Sequence, residues 1–348
     1  MVQVRPDEEL RQGFREALTG VLPAGWQMAL RSEDRTSDLR ADAYLDLTSP
    51  GGERIQACVE FKSRAEPAEV VRLVPWLQGC GSAILVAPEL GQRAREILNE
   101  AGISWLEPGG DCRIAMSSLF IERLTRGSRR RPAGAPDTRY VADLFSGGPL
   151  RVVRWLLIEP QRPWTLDDMA DRTGLTLGFV SRVFKTLARD AYMDRARGDN
   201  RVRDRDALLD AWVSAPRPKD AASELVATVA STEGLLQIIR ASSTTSPYAI
   251  TAEAAADRIA PFARYSRVEM YVDDVAEWDR SLGLTAVPRG GNLVLIKPSN
   301  PGVFDGAFER DGLQLVSRPQ LYVDLVRRDG AAAEAAALMR ERGELWPR

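Results

Sequence analysis

From Ala41 to Arg64 the chain reads ADAYLDLTSPGGERIQACVEFKSR, and both halves alternate with period two. Ala41, Ala43, Leu45 and Leu47 are apolar, with Asp42, Tyr44 and Asp46 between them. Ile55, Ala57, Val59 and Phe61 are apolar, with Gln56, Cys58, Glu60 and Lys62 between them. Side chains of a strand point alternately to its two faces, so the pattern demands two strands whose odd positions face a core. The Ser-Pro-Gly-Gly stretch supplies a turn centred near Gly51. A hairpin symmetric about that point sets Asp42 opposite Glu60, with Lys62 on the same face one pleat further on. Opposed Cβ atoms lie roughly 4.5–5.5 Å apart. Two carboxylates that close repel unless a proton, water or cation lies between them.

What surrounds the hairpin suggests an α/β layer structure. Asp7–Leu22 has the apolar spacing of an amphipathic helix. The stretch EPAEVVRLVPWLQGCG reads as a second helix, Ser82–Pro88 as a short buried strand, and GQRAREILNEAG as a helix stopped by Gly102. ISWLEPGGDCRIAM closes the region as a strand pair around Gly109-Gly110.

The chain contains no histidine. That excludes Ser-His-Asp triads, Cys-His dyads and histidine-bound zinc. Chemistry here must use carboxylates, lysine, hydroxyls or a metal held by oxygen, which suits Mg²⁺, Mn²⁺ or Ca²⁺. The three cysteines, Cys58, Cys80 and Cys112, form no Cys-x-x-Cys pair and read as small buried hydrophobes of a cytoplasmic protein. No apolar run approaches the roughly 20 residues of a membrane span, and the polar start MVQVRPDEEL does not read as a signal peptide.

Asp42, Glu60, Phe61 and Lys62, with their strand setting, resemble the PD-(D/E)xK nuclease-like superfamily over roughly residues 1–120. The resemblance implies a restriction-endonuclease-like α/β domain in which Asp42 and Glu60 hold Mg²⁺ or Mn²⁺ and Lys62 assists as a catalytic residue. Leu106–Ile114 also resembles a segment that in related regulators often reads Asp-x-x-Gly-Asn, with Glu107, Gly110 and Asp111 in those places.

A break follows at RGSRRRPAGAPDTRY, Arg126–Tyr140, which lacks hydrophobic periodicity. Arg123–Pro132 carries five arginines and no acid, as a solvated linker or a phosphate-contacting arm would. A weaker break lies at Ser214–Glu224. The expected organisation is a nuclease-like domain over 1–124, a basic linker over 125–139, a helix-turn-helix region over 140–213 and an α/β domain over 220–348. The fold class is therefore multidomain, α/β and α+β.

In the middle region Leu150, Val153, Leu156 and Leu157 have helical spacing up to Pro160. Thr165 caps a second helix that Gly174 stops, and Thr176 caps a third whose inner stripe is Val180, Val183, Phe184 and Leu187. A Gly-Asp-Asn turn then joins two short strands, and Arg205–Trp212 closes the region as a packing helix. This pattern resembles a winged helix-turn-helix. The resemblance implies that Thr176, Leu177, Gly178, Ser181, Arg182 and Lys185 face the major groove of double-stranded DNA, and that Arg195, Arg197, Arg201 and Arg203 of the wing meet phosphate or minor groove. Asp194, Asp199 and Asp204 dilute the charge.

In the last region VEMYVDD and NLVLIKP read as strands, and Asp273-Asp274 as a helix cap. Gly290-Gly291-Asn292 reads as a turn, and VSRPQLYVDLVRRDGAAAEAAALMRER as two helices broken near Gly330. YAITAEAAADRIAPF, GGNLVLIKPSN and RPQLYVDLV resemble AbiEi-like antitoxins of type IV toxin–antitoxin systems, roughly over Tyr140–Arg342. The resemblance implies a bacterial transcriptional repressor acting on its own operon, with a cognate toxin as partner, and a homodimer is expected because helix-turn-helix proteins often read paired half-sites. Three functions stand as expectations: a DNA-binding regulator, a Mg²⁺-dependent endonuclease using Asp42, Glu60 and Lys62, and a protein-interaction module.

Overall fold

The first helix, α1 (Pro6–Val21), puts Leu10, Phe14 and Leu18 on one buried stripe at four-residue spacing. It covers one face of a seven-stranded sheet built from β1 (Gln27–Ser32), β2 (Ala43–Thr48), β3 (Arg54–Phe61), β4 (Ala83–Val86), β5 (Ser104–Leu106), β6 (Cys112–Met116) and β7 (Leu119–Arg123), in that order. The pairs β3–β4 and β4–β5 are parallel and the outer pairs are antiparallel. The parallel pairs need crossovers, and α2 (Pro67–Gly79) and α3 (Gln92–Glu100) supply them. Val70, Leu77, Ala94 and Leu98 of these helices bury the second sheet face, together with Cys58 and Leu85.

In the computed structural model the described residues are 6–32, 41–125, 141, 143–216, 221–227, 231–260, 265–283, 285–286 and 291–346. The basic segment 126–140 lies outside them. The chain divides into two units, Met1–Pro136 with Arg189–Ala191, and Asp137–Ala188 with Tyr192–Arg348.

The second unit begins with α4 (Gly147–Ile158), α5 (Leu166–Thr173) and α6 (Leu177–Arg189). A hairpin of β8 (Met193–Ala196) and β9 (Asp199–Val202) follows, and then α7 (Arg205–Ser214). Both expected caps of α5 form. The Thr165 hydroxyl accepts from the Asp168 amide at 3.0 Å, and Gly174 ends the helix at φ +66°. Trp164 and Asn200 add a bridge beside the hairpin, the Asn200 amide group donating to the Trp164 carbonyl at 2.8 Å.

The remainder holds β10 (Ala221–Ala227), α8 (Thr232–Ala241), β11 (Tyr248–Thr251), α9 (Ala252–Ile259), β12 (Val268–Val272), α10 (Val275–Leu282), β13 (Thr285–Ala286) and β14 (Leu293–Lys297). A short 3-10 turn (Pro301–Phe304), β15 (Phe308–Arg310), β16 (Leu313–Leu315), α11 (Arg318–Val326) and α12 (Ala331–Glu341) complete it. Its sheet runs β13-β10-β14-β12-β11-β16-β15 and is mixed, with β12–β14 and β11–β16 parallel. The expected cap at Asp274 forms at 3.0 Å from the Glu277 amide, and Gly330 (φ +68°) separates the last two helices.

One apolar core runs through this unit from Leu144 to Leu345, so the helices after residue 147 and the C-terminal sheet pack as one body. Helix α11 sits at its centre. Every residue from Pro319 to Leu325 is buried, and α4, α7, α9 and α12 pack against it. A helix surrounded in this way can keep polar residues only if they are satisfied internally. Polar ties reinforce the packing. Arg151 forks onto Asp305 at 2.6 and 2.9 Å, and Trp346 donates to the Leu157 carbonyl at 3.0 Å.

Candidate functional sites in the two units

The β2–β3 register pairs Ala43 with Val59 through Thr48 with Arg54, which is the symmetry expected about Gly51. The Asp42 carboxylate, just before β2, accepts from the Phe61 amide at 2.9 Å, and Lys62 Nζ meets Glu60 Oε1 at 2.7 Å. The structure therefore brings Asp42, Glu60 and Lys62 together. The face they occupy is not simply wet. Gln56 is exposed near the turn, but Glu60 is only 8% exposed because the α2–α3 side of the sheet is filled as well.

Burial, the largest cause, raises the Glu60 pKa above the ordinary carboxylate range. The Lys62 hydrogen bond opposes this and the neighbouring Asp42 adds to it. Lys62 is also shifted upward. Desolvation works against its charge, but Glu60 and Asp42 together outweigh it. An ion pair normally lowers its acid, so the net rise at Glu60 means that burial and the second carboxylate dominate.

Two carboxylates are a donor set that Mg²⁺ can use when substrate phosphates complete its shell. Among the described residues, however, no group of three or more Asp, Glu or Cys side chains could hold a metal ion by itself.

Glu107 and Asp111 are both engaged within the unit. Glu107 accepts from the Leu90 amide at 2.9 Å and from Arg95 at 2.5 Å. Asp111 accepts from Arg95 at 3.0 Å and from the Thr125 amide at 2.7 Å. Arg95 also lies over the Trp105 ring at 4.7 Å. The segment is a buried brace around one guanidinium. Cys58 and Cys112 are buried thiols, as expected. Cys80 is half-buried, and its pKa is pushed up to about 12 by burial and by the neighbouring Cys58.

In the second unit α6 splits as its periodicity requires. Val180, Val183, Phe184 and Leu187 are buried, while Thr176, Leu177, Gly178, Arg182 and Lys185 are exposed and Ser181 is half-buried. Leu177 is 48% exposed, unusual for so large an apolar side chain at the start of a helix. Arg182 rests over the Phe179 ring at 5.4 Å, which holds its guanidinium outward. The hairpin exposes Arg195 and Arg197. Its other arginines are engaged, Arg201 with Asp199 at 2.7 Å and Arg203 with Asp194. Asp204 caps α7 through the Ala207 amide at 2.9 Å. Two hairpin arginines thus project unmatched by these acids, and two are held by them.

Residues 201–344 match a protein-family model described as "Transcriptional regulator, AbiEi antitoxin, Type IV TA system". Over these residues the C-terminal region is similar to that family. The match starts within β9, so the AbiEi-like region takes in α7, the mixed sheet and the closing helices, while α4–α6 precede it. That is narrower than the resemblance expected from Tyr140 onward. No curated protein and no solved structure matches the chain. None of the described helices is long and apolar enough to cross a membrane.

Proposed function

We propose that this protein is a DNA-binding regulator of the AbiEi antitoxin type, reading duplex DNA with α6 inside a winged helix-turn-helix formed by α4 to α7. The observation that carries this reading is the two-sidedness of α6. Its inner stripe is fully buried, while Leu177, Gly178, Arg182 and Lys185 stand outside with Thr176 at the leading end. A helix that enters a major groove presents its N-terminal turns and a few donors to base edges. Arg195 and Arg197 lie on the hairpin that a wing would lay along the backbone, and each phosphate they neutralise releases counterions. The family description adds a cognate toxin as the protein partner.

Fluorescence anisotropy on a labelled duplex tests the reading. The intact protein binds with an affinity that falls steeply with salt. A protein with no measurable affinity at 50 mM salt would overturn it.

A second reading is a Mg²⁺-dependent nuclease at Asp42, Glu60 and Lys62, in a PD-(D/E)xK-like first unit. The adjacency of two carboxylates and a lysine, with Glu60 shifted upward, favours it. Asp42 and Glu60 would hold the ion and Lys62 would offset charge on the phosphate. Supplied with Mg²⁺ or Mn²⁺, the protein would nick plasmid DNA, and Glu60→Ala and Lys62→Ala would not. Equal nicking by the variants, or none by the parent, eliminates it.

A further inference from the structure

A cavity of about 370 Å³ opens inside the second unit, between α4, α7, α11 and the mixed sheet. That volume falls within the range of small-ligand pockets. Its wall carries three guanidinium groups, Arg154, Arg327 and Arg328, and a single carboxylate, Asp324. Trp212 and Tyr271 supply aromatic surface.

The charged groups are fixed before any ligand arrives. Arg154 donates through Nε to Gln320 Oε1 at 3.0 Å and lies 5.3 Å over the Trp212 ring. Arg327 is tied to the carbonyls of Trp212 and Ala215 at 2.6 and 2.9 Å. Arg328 pairs with Glu269 at 2.5 Å, which offsets its charge, and also donates to the Asp324 carbonyl. Asp324 accepts from Thr251 at 2.6 Å, Gln320 at 2.9 Å and Tyr271 at 3.3 Å, and burial holds its pKa above the ordinary range. The wall thus sets three guanidiniums against one carboxylate. The Gln320 side-chain oxygen positions Arg154, and main-chain carbonyls position Arg327.

From this arrangement we infer that the cavity is a binding site for a small organic anion carrying a phosphate or carboxylate. Arg154 and Arg327 take the charged group, and Trp212 and Tyr271 face its apolar part. A planar fork held in place by its surroundings recognises such oxygens with little further loss of side-chain freedom. The site is independent of how the protein meets DNA, so its test uses none.

Isothermal titration calorimetry of the full chain with AMP, citrate and pyrophosphate at low salt reads the binding, with neutral adenosine as the control. At least one anion binds at one per chain, and adenosine does not. Arg154→Gln weakens that anion by about tenfold, the worth of one charge-assisted hydrogen bond. Because Arg154 is buried, a second variant guards against misfolding. Ser299 lines the cavity and is exposed. Ser299→Trp abolishes binding and leaves the melting temperature in place. No heat from any of the three anions at millimolar concentration would overturn the inference, as would binding unaffected by both variants or adenosine binding as tightly as AMP.

Discussion

The β2–β3 site and the outer face of α6 both concentrate charge, but they do so in opposite ways. At the strand site the charges turn inward. Glu60 is buried, Asp42 accepts from a backbone amide and Lys62 closes on Glu60, so each group has its partner within the unit. On α6 and the hairpin, Arg182, Lys185, Arg195 and Arg197 turn outward into solvent. An inward site must satisfy itself to fold, whereas an outward one can keep its cations for a partner outside. That difference is why the helix, more than the acidic strand pair, is the better candidate for meeting DNA.

The comparison can be pressed by removing charges of decreasing burial. Arg95 sits between the buried Glu107 and Asp111. Arg95→Met leaves two carboxylates without their cation, and by the usual penalty for breaking a buried pair it costs about 3 kcal/mol in urea unfolding. A loss under about 1 kcal/mol would show that the brace is dispensable.

Lys62→Met acts on a half-buried pair and shows itself in pH dependence. The folded-state pKa of Glu60 lies above its unfolded value, so ionising it costs stability as pH rises from about 4.5 through the folded pKa. Removing Lys62 takes away the group that opposes this rise. The variant loses more stability between pH 4.5 and 7 than the parent does, and Glu60→Gln lacks that part of the slope. Identical slopes in all three would contradict the assignment. Arg201→Ala breaks an exposed pair, Arg201–Asp199, and is expected to change stability by no more than about 0.5 kcal/mol.

Much of this was legible in the residues themselves. Period-two alternation and the position of Gly51 were enough to pair Asp42 with Glu60, because hairpin register follows from the turn. The caps at Thr165, Gly174 and Asp274 and the inner stripe of α6 were equally readable, since each depends on neighbours a few residues away. What escaped depends on tertiary contact. The strands β1 and β7 were missed. The β6–β7 turn has no Asn-Gly signal, and it is made by Ser117 at φ +42°, with the hydroxyls of Ser117 and Ser118 donating to Glu53 at 2.8 and 2.5 Å. That Glu60 is buried follows from α2 and α3 covering its face, which strand parity cannot reveal. The pairing of Glu107 and Asp111 with Arg95 was not legible either, because nothing local marks Arg95 as their partner. Nor does any motif join Arg154, Gln320 and Asp324, which meet only because α11 lies at the centre of a core shared with α4.

The measurement closest to the central claim is the salt dependence of duplex binding by Arg182→Ala/Lys185→Ala. Both side chains are exposed, so the double variant should melt with the parent, within about 0.5 kcal/mol. If both reach phosphates, the slope of log affinity against log salt falls by about two. If they reach bases instead, specificity relaxes while the slope holds. A double variant that binds with the parent's affinity, slope and sequence preference would contradict the assignment of α6 as the DNA-reading helix.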